Sequence, residues 1–122
     1  MTTEDLIAYL TSYPEEMAFG TESPETVFDR YHTPDIEYRN EGILLNRDRL
    51  IAHARPARKN ATSCTVEVHD ALVCGDRIAA RYTLRATMRK GTKFASDIHM
   101  FGSVEPDGRI RRVTQIGREL EA

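Results

Sequence analysis

Up to residue 60 the apolar positions recur at helical spacing, and from Ser63 onward they alternate with a period of two. The first pattern predicts helices. Leu6, Ile7, Leu10 and Met17 make one stripe over residues 3–18, with Thr3 as N-cap and Glu4 and Asp5 in the first turn, where the helix dipole favours acids. Pro14 is expected to kink or split this helix. Ser23 caps a second helix, Pro24 takes its first position, and Val27, Phe28 and Tyr31 form the buried side until Pro34 stops it. A short strand from Asp35 to Asn40 sets Ile36, Tyr38 and Asn40 on one face. Asn46 caps a third helix over residues 47–55, buried through Leu50, Ile51 and Ala54 and ended by Pro56.

The second pattern predicts strands over 63–74, 77–89, 94–104 and 109–119. Gly75-Asp76 and Lys90-Gly91 suit two-residue primed turns, and Glu105-Pro106-Asp107-Gly108 suits a type I turn. Helices followed by a meander indicate an α+β fold rather than a parallel sheet, and the length fits one domain over 1–122. Two-residue turns fix register. They set Asp70 opposite Arg81 and Arg81 opposite Met100, and on the other face they align His69, Tyr82 and His99. One face then carries Val66, Val68, Asp70, Arg81, Thr83, Ile98 and Met100, the other Ala71, Val73, Ile78, Ala80, Tyr82 and Phe101. Both are substantially apolar. Helices are therefore expected to cover one face, and a second copy of the chain much of the other.

Of the 19 acids ten lie in residues 1–45, with only two of the 17 bases, so an acidic front and a basic back hide inside a net charge of −2. Such halves can neutralise each other within one fold, and the total gives no sign of a nucleic-acid partner. No stretch approaches the ~20 apolar residues of a membrane span. The acidic start MTTEDLIAYL lacks the positive charge and apolar run of a secretory signal. A cytoplasmic protein without membrane or nucleic-acid partner is the expectation. Cys64 and Cys74 lie on one predicted strand, about 33 Å apart at strand rise, and read as reduced core thiols.

The segment YHTPDIEYRNEGILLNRDRLIAH resembles the helix–strand–helix opening of nuclear transport factor 2-like proteins, SnoaL-like members in particular. DALVCGDRIAARYTL, a Gly-Asp hairpin with a Val/Ile/Ala strand after it, and VEPDGRIRRV, a strand–DG(R/K)I–strand ending, extend the likeness over residues 23–119. The resemblance implies a cystatin-like cone, N-terminal helices packed on a curved mixed or antiparallel sheet, with a ligand cavity at its open end and frequent dimers. It also implies acid/base chemistry without a cofactor in the enzymatic members, which include ketosteroid isomerases, polyketide cyclases and epoxide hydrolases, while other members only bind. In this chain the isomerase base position is Asn40, and the isomerase oxyanion-hole acid falls at Met100. The Arg of the limonene epoxide hydrolase pair is matched by Arg81, but Thr83 and Gln115 stand where the two carboxylates belong.

Asp70 interrupts the apolar series Cys64, Val66, Val68, Leu72 and Cys74, beside Arg81. A charge on a covered face needs a partner. The pair reads either as a structural ion pair in the cavity wall or as the catalytic group, Asp70 the acid/base and Arg81 the stabiliser of negative charge. Tyr38, Asn40, Thr83, Ile98, Met100 and Gln115 are the expected pocket lining, and Tyr9, Tyr13 and Phe28 core or cavity aromatics. The His69–Tyr82–His99 row reads as dimer-interface hydrogen bonding more readily than as metal ligands, for which Asp97 or Glu67 would be the third. The ladder Arg77, Arg81, Arg85 and Arg89 would suit an anionic ligand. The expectation is a binder of a small apolar or weakly anionic oxygenated molecule. It would act as an isomerase, cyclase, dehydratase or hydrolase, or as a non-catalytic ligand-binding or dimerisation module.

Overall fold

In the computed structural model, which describes residues 1–121, Thr2 rather than Thr3 caps helix α1 (Thr3–Phe19). The Thr2 hydroxyl accepts from the Asp5 amide and the Asp5 carboxylate accepts from the Thr2 amide at 2.9 Å, a reciprocal capping box. α1 runs unbroken through Pro14, held on either side by buried Leu10 and Met17. Helix α2 (Pro24–Tyr31) starts as expected, with the Ser23 hydroxyl accepting from the Thr26 amide.

Strand β1 (His32–Asn40) begins earlier than expected and contains Pro34. The ladder is irregular between His32 and Glu37, so the amide that Pro34 lacks interrupts no regular pairing. A short strand not foreseen, β2 (Ile43–Leu45), folds back on β1 through Glu41 and Gly42, whose φ values of 52° and 84° make a primed hairpin turn. Helix α3 (Arg47–Asn60) continues past Pro56. Arg58, in that extra turn, donates to the carbonyls of Met17 at 2.9 Å and Glu16 at 2.8 Å, and also to that of Glu22. The Met17 carbonyl is one left without a helical donor at the end of α1, so the last turn of α3 is tied to α1.

Strands β3 (Ala61–Cys74), β4 (Arg77–Met88), β5 (Lys93–Val104) and β6 (Ile110–Glu119) complete one curved sheet in the order β2-β1-β6-β5-β4-β3, with β1 and β6 parallel. Two single-residue features decide which side chains face the helices. His69 is a bulge: Val68 pairs with Tyr82 and Asp70 with Arg81, so the alternation of β3 inverts between them. The β4–β5 loop holds three residues rather than two. The Met88 amide donates to Thr92 O, and Gly91 at φ 86° takes the left-handed place, pairing Arg81 with His99 and Tyr82 with Ile98.

The inner, helix-covered face therefore gathers Val66, Val68, Ala71, Ala80, Tyr82, Ile98 and Met100. α1 lies along it, mainly against β3. The outer face carries Asp70, Leu72 and Cys74 together with Arg81, Thr83, His99, Phe101 and Ile116. Cys74, expected in the core, is exposed because the bulge turned its half of β3 around, whereas Cys64 stays half-buried. The result is an α+β cone of helices on a curved mixed sheet. Among the described residues no helix is long and apolar enough to cross a membrane.

Candidate functional site

The interior loosens from one end to the other. Leu6, Val27, Phe28, Ile110 and Val113 are at most 1% exposed. Toward the end of β1, Tyr13, Tyr38, Leu50, Ala54, Val66 and Leu84 pack on the same core yet remain partly exposed. Half-covered apolar side chains from α1, α3 and the sheet thus rim the open end of the cone.

Four tyrosines converge behind that rim. Tyr9 stacks on Tyr13 with centroids 5.4 Å apart, and its hydroxyl meets His32 Nε2 at 2.8 Å. His32 Nδ1 lies 3.0 Å from the Phe28 carbonyl, which can only accept, so Nδ1 carries the proton and Nε2 accepts from Tyr9. Burial drives His32 down to about 4, outweighing the Phe28 carbonyl and Asp29, and the ring is neutral at neutral pH. Burial also lifts the phenols of Tyr9, Tyr13 and Tyr38 far above their usual range, neighbouring phenols adding to the effect, and takes Tyr82 to about 12. All four remain neutral hydrogen-bond donors.

The polar chain at the mouth starts at Tyr38. Its hydroxyl donates to Gln115 Oε1 at 2.7 Å, which turns the Gln115 amide nitrogen toward Asn40 Oδ1 at 3.4 Å. Asn40 is exposed and its own amide nitrogen is left for solvent or a ligand. The hydroxyls of Tyr13 and Tyr82 find no partner among the described residues.

Five of the six residues expected to line the pocket, Tyr38, Asn40, Ile98, Met100 and Gln115, lie on this inner face. Thr83 does not. It points to the outer face, accepting from His69 Nε2 at 2.7 Å and donating its one hydroxyl proton to Asp97 Oδ1 at 2.8 Å. Asp70 and Arg81 do meet, at 3.1 Å, but on the outer face, with side chains 67% and 41% exposed. The expected place of this pair in the cavity wall is corrected: the bulge at His69 and the three-residue β4–β5 loop put it on the side away from the helices. The bulge and the loop also separate the expected row, the first leaving His69 outside beside Thr83 and the second placing His99 outside, with Tyr82 inside. Tyr82 was legible as a lone hydroxyl in the apolar series Ile78, Ala80, Leu84.

A recess of about 470 Å³ opens at the other end between the start of α1 and the β5–β6 turn. Its charged groups are already engaged: Asp5 in the cap, Asp107 with Arg109 at 2.9 Å, and Arg30 with Glu22 at 2.6 Å. The open end of the cone, with its unpartnered donors, is the stronger candidate.

The fold is shared with solved proteins. IdmH, a candidate polyketide cyclase from Streptomyces antibioticus, is 21% identical, with TM-score 0.70 over 96% of this chain and 92% of its own. AclR, a candidate hydroxylase from Streptomyces galilaeus, is 15% identical, with TM-score 0.73 over 97% and 91%. A limonene epoxide hydrolase-like enzyme of M. tuberculosis is 16% identical, with TM-score 0.72 over 95% and 81%. No curated protein matches the sequence. The SnoaL-like domain matches residues 11–113, and the chain belongs to that family.

Proposed function

We propose that the open end of the cone binds a small apolar molecule carrying carbonyl or hydroxyl oxygens, and holds it by hydrogen-bond donation. The observation that carries this reading is the pair of unpartnered phenols, Tyr13 and Tyr82, in an apolar wall beside the Tyr38–Gln115–Asn40 chain. An oxygen that loses water on entering such a wall must regain a donor, and the phenols and amides supply one. A carbonyl so held is polarised, which favours enolisation or ring closure. In its row Tyr82 has Val68, Ile98 and Gly117 beside it, and Gln115 has Met100 and Asn40, so binding and polarisation are the chemistry these two rows offer. The likeness to a candidate polyketide cyclase and to an epoxide hydrolase-like enzyme supports an oxygenated ligand class.

Titration calorimetry with a hydroxyanthraquinone, a 3-oxosteroid and a monoterpene epoxide tests this. At least one is expected to saturate, and Tyr82→Phe with Tyr13→Phe should weaken it about tenfold, as loss of two hydrogen bonds would. Equal affinity in wild type and double variant sinks the assignment.

A second reading concerns assembly. Leu72, Phe101 and Ile116 are 69%, 62% and 61% exposed and lie in adjacent rows of the outer face. The pairs Asp70–Arg81 and Asp97–Arg118 offer both signs of charge on the same face. A two-fold-related copy of the chain can match apolar strip to strip and acid to base, so the second copy is the occupant this face suits.

A further inference from the structure

At the turn end of the outer face, away from the tyrosines, the β3–β4 turn and the start of β6 frame a groove of about 340 Å³. Ser103 lines it. That residue is 4% exposed, and its hydroxyl is buried with no hydrogen-bond partner. A buried hydroxyl left unmet is costly, and few are tolerated in a folded chain.

The neighbours of Ser103 say what would meet it. Arg77 on β4 and Arg112 on β6 are its register partners, one strand spacing of ~4.8 Å away on either side. Arg111 lines the same groove. Arg77 makes no ion pair among the described residues. Arg112 reaches Glu37 at 3.7 Å, and Arg111 reaches Asp76 at 3.8 Å and Glu105 at 3.7 Å, all long contacts between solvated groups. Such pairs are weak and give way to a better acceptor. Three arginines line the groove with one carboxylate, Asp76, while Glu37 and Glu105 pair with Arg112 and Arg111 from its edge, which leaves Arg77 as the lining cation without an ion pair among the described residues.

We infer that this Arg77–Ser103–Arg112 groove is a binding site for a phosphate group. Arg77 and Arg112 flank Ser103 on the two neighbouring strands, and all three line the groove. A tetrahedral oxyanion can turn an oxygen toward each, whereas a planar carboxylate has only two to offer.

The test is titration of the whole chain with inorganic phosphate against chloride at constant ionic strength, followed by calorimetry and by NMR of the arginine side chains and the Ser103 amide. Saturable binding is expected, with shifts centred on Arg77, Ser103 and Arg112. Arg77→Ala and Arg112→Ala, both at exposed positions, should each weaken it about tenfold, as loss of a charge-assisted contact does. Phenyl phosphate serves as the second probe. Tighter binding than inorganic phosphate identifies an organic phosphate as the ligand, and equal binding identifies the free anion. Non-saturating shifts, affinity unchanged in the Arg77→Ala/Arg112→Ala double variant, or acetate binding as tightly as phosphate would each overturn the inference.

Discussion

His32, 1% exposed, has each ring nitrogen fixed by a different neighbour, the Phe28 carbonyl on one side and the Tyr9 hydroxyl on the other. Protonation would remove the lone pair that Tyr9 donates to, in a place where charge is poorly solvated. In the unfolded chain this imidazole binds a proton below about 6.5, in the fold only below about 4. Between those values the unfolded state holds the extra proton. Stability from this group is therefore complete above pH 6.5 and is lost as the pH falls toward 4. Lowering the pH from 7 to 5 should cost about 2 kcal/mol through His32 alone. Urea unfolding at the two pH values reads this directly, and His32→Gln should flatten the dependence. A wild-type midpoint that does not move between pH 7 and 5 contradicts the account.

At the scale of elements, the junction of α1 and α3 rests on Arg58, whose guanidinium serves three carbonyls across Glu16 to Glu22. Arg58→Ala is expected to destabilise the fold by about 2 kcal/mol, since three backbone carbonyls, two of them in partly buried contacts, lose a charged donor, and a drop in melting temperature measures it. The helix and strand limits were largely legible, because apolar period and caps such as Ser23 and Asn46 are local signals. Pro56 misled: tertiary ties through Arg58 outweigh the local penalty of a proline and carry α3 onward. The faces of the sheet were harder. Gly91 suits a two-residue or a three-residue loop equally, and only the closed backbone bonds between Met88 and Thr92 decide. The bulge had a faint mark, the consecutive polar residues His69 and Asp70 in an alternating strand. A one-residue error at either place moves charged side chains from one side of the sheet to the other, which is why Asp70–Arg81 pairs as expected but faces solvent. Tyr38, Asn40 and Gln115 escaped this error because they sit on β1 and β6, outside both features.

For the whole molecule, the proposed second copy on the outer face makes a simple demand. Light scattering after size exclusion should give twice the mass of 13.9 kDa, and Phe101→Glu, a change at an exposed side chain, should return the monomer without loss of helix or strand signal. A wild-type monomer at tens of micromolar concentration would refute that assembly. The order of strands has a separate consequence for how the chain is made. β6 lies between β1 and β5, and its contacts with β1 join residues 75 positions apart. While the polypeptide is being synthesised, β1 and its hairpin partner β2 wait about 4–15 s for that late strand at ordinary elongation rates. The last made of these six strands is thus the one that joins β1 to the rest of the sheet, so the sheet closes seconds after synthesis of the N-terminal helices and depends on that segment arriving intact.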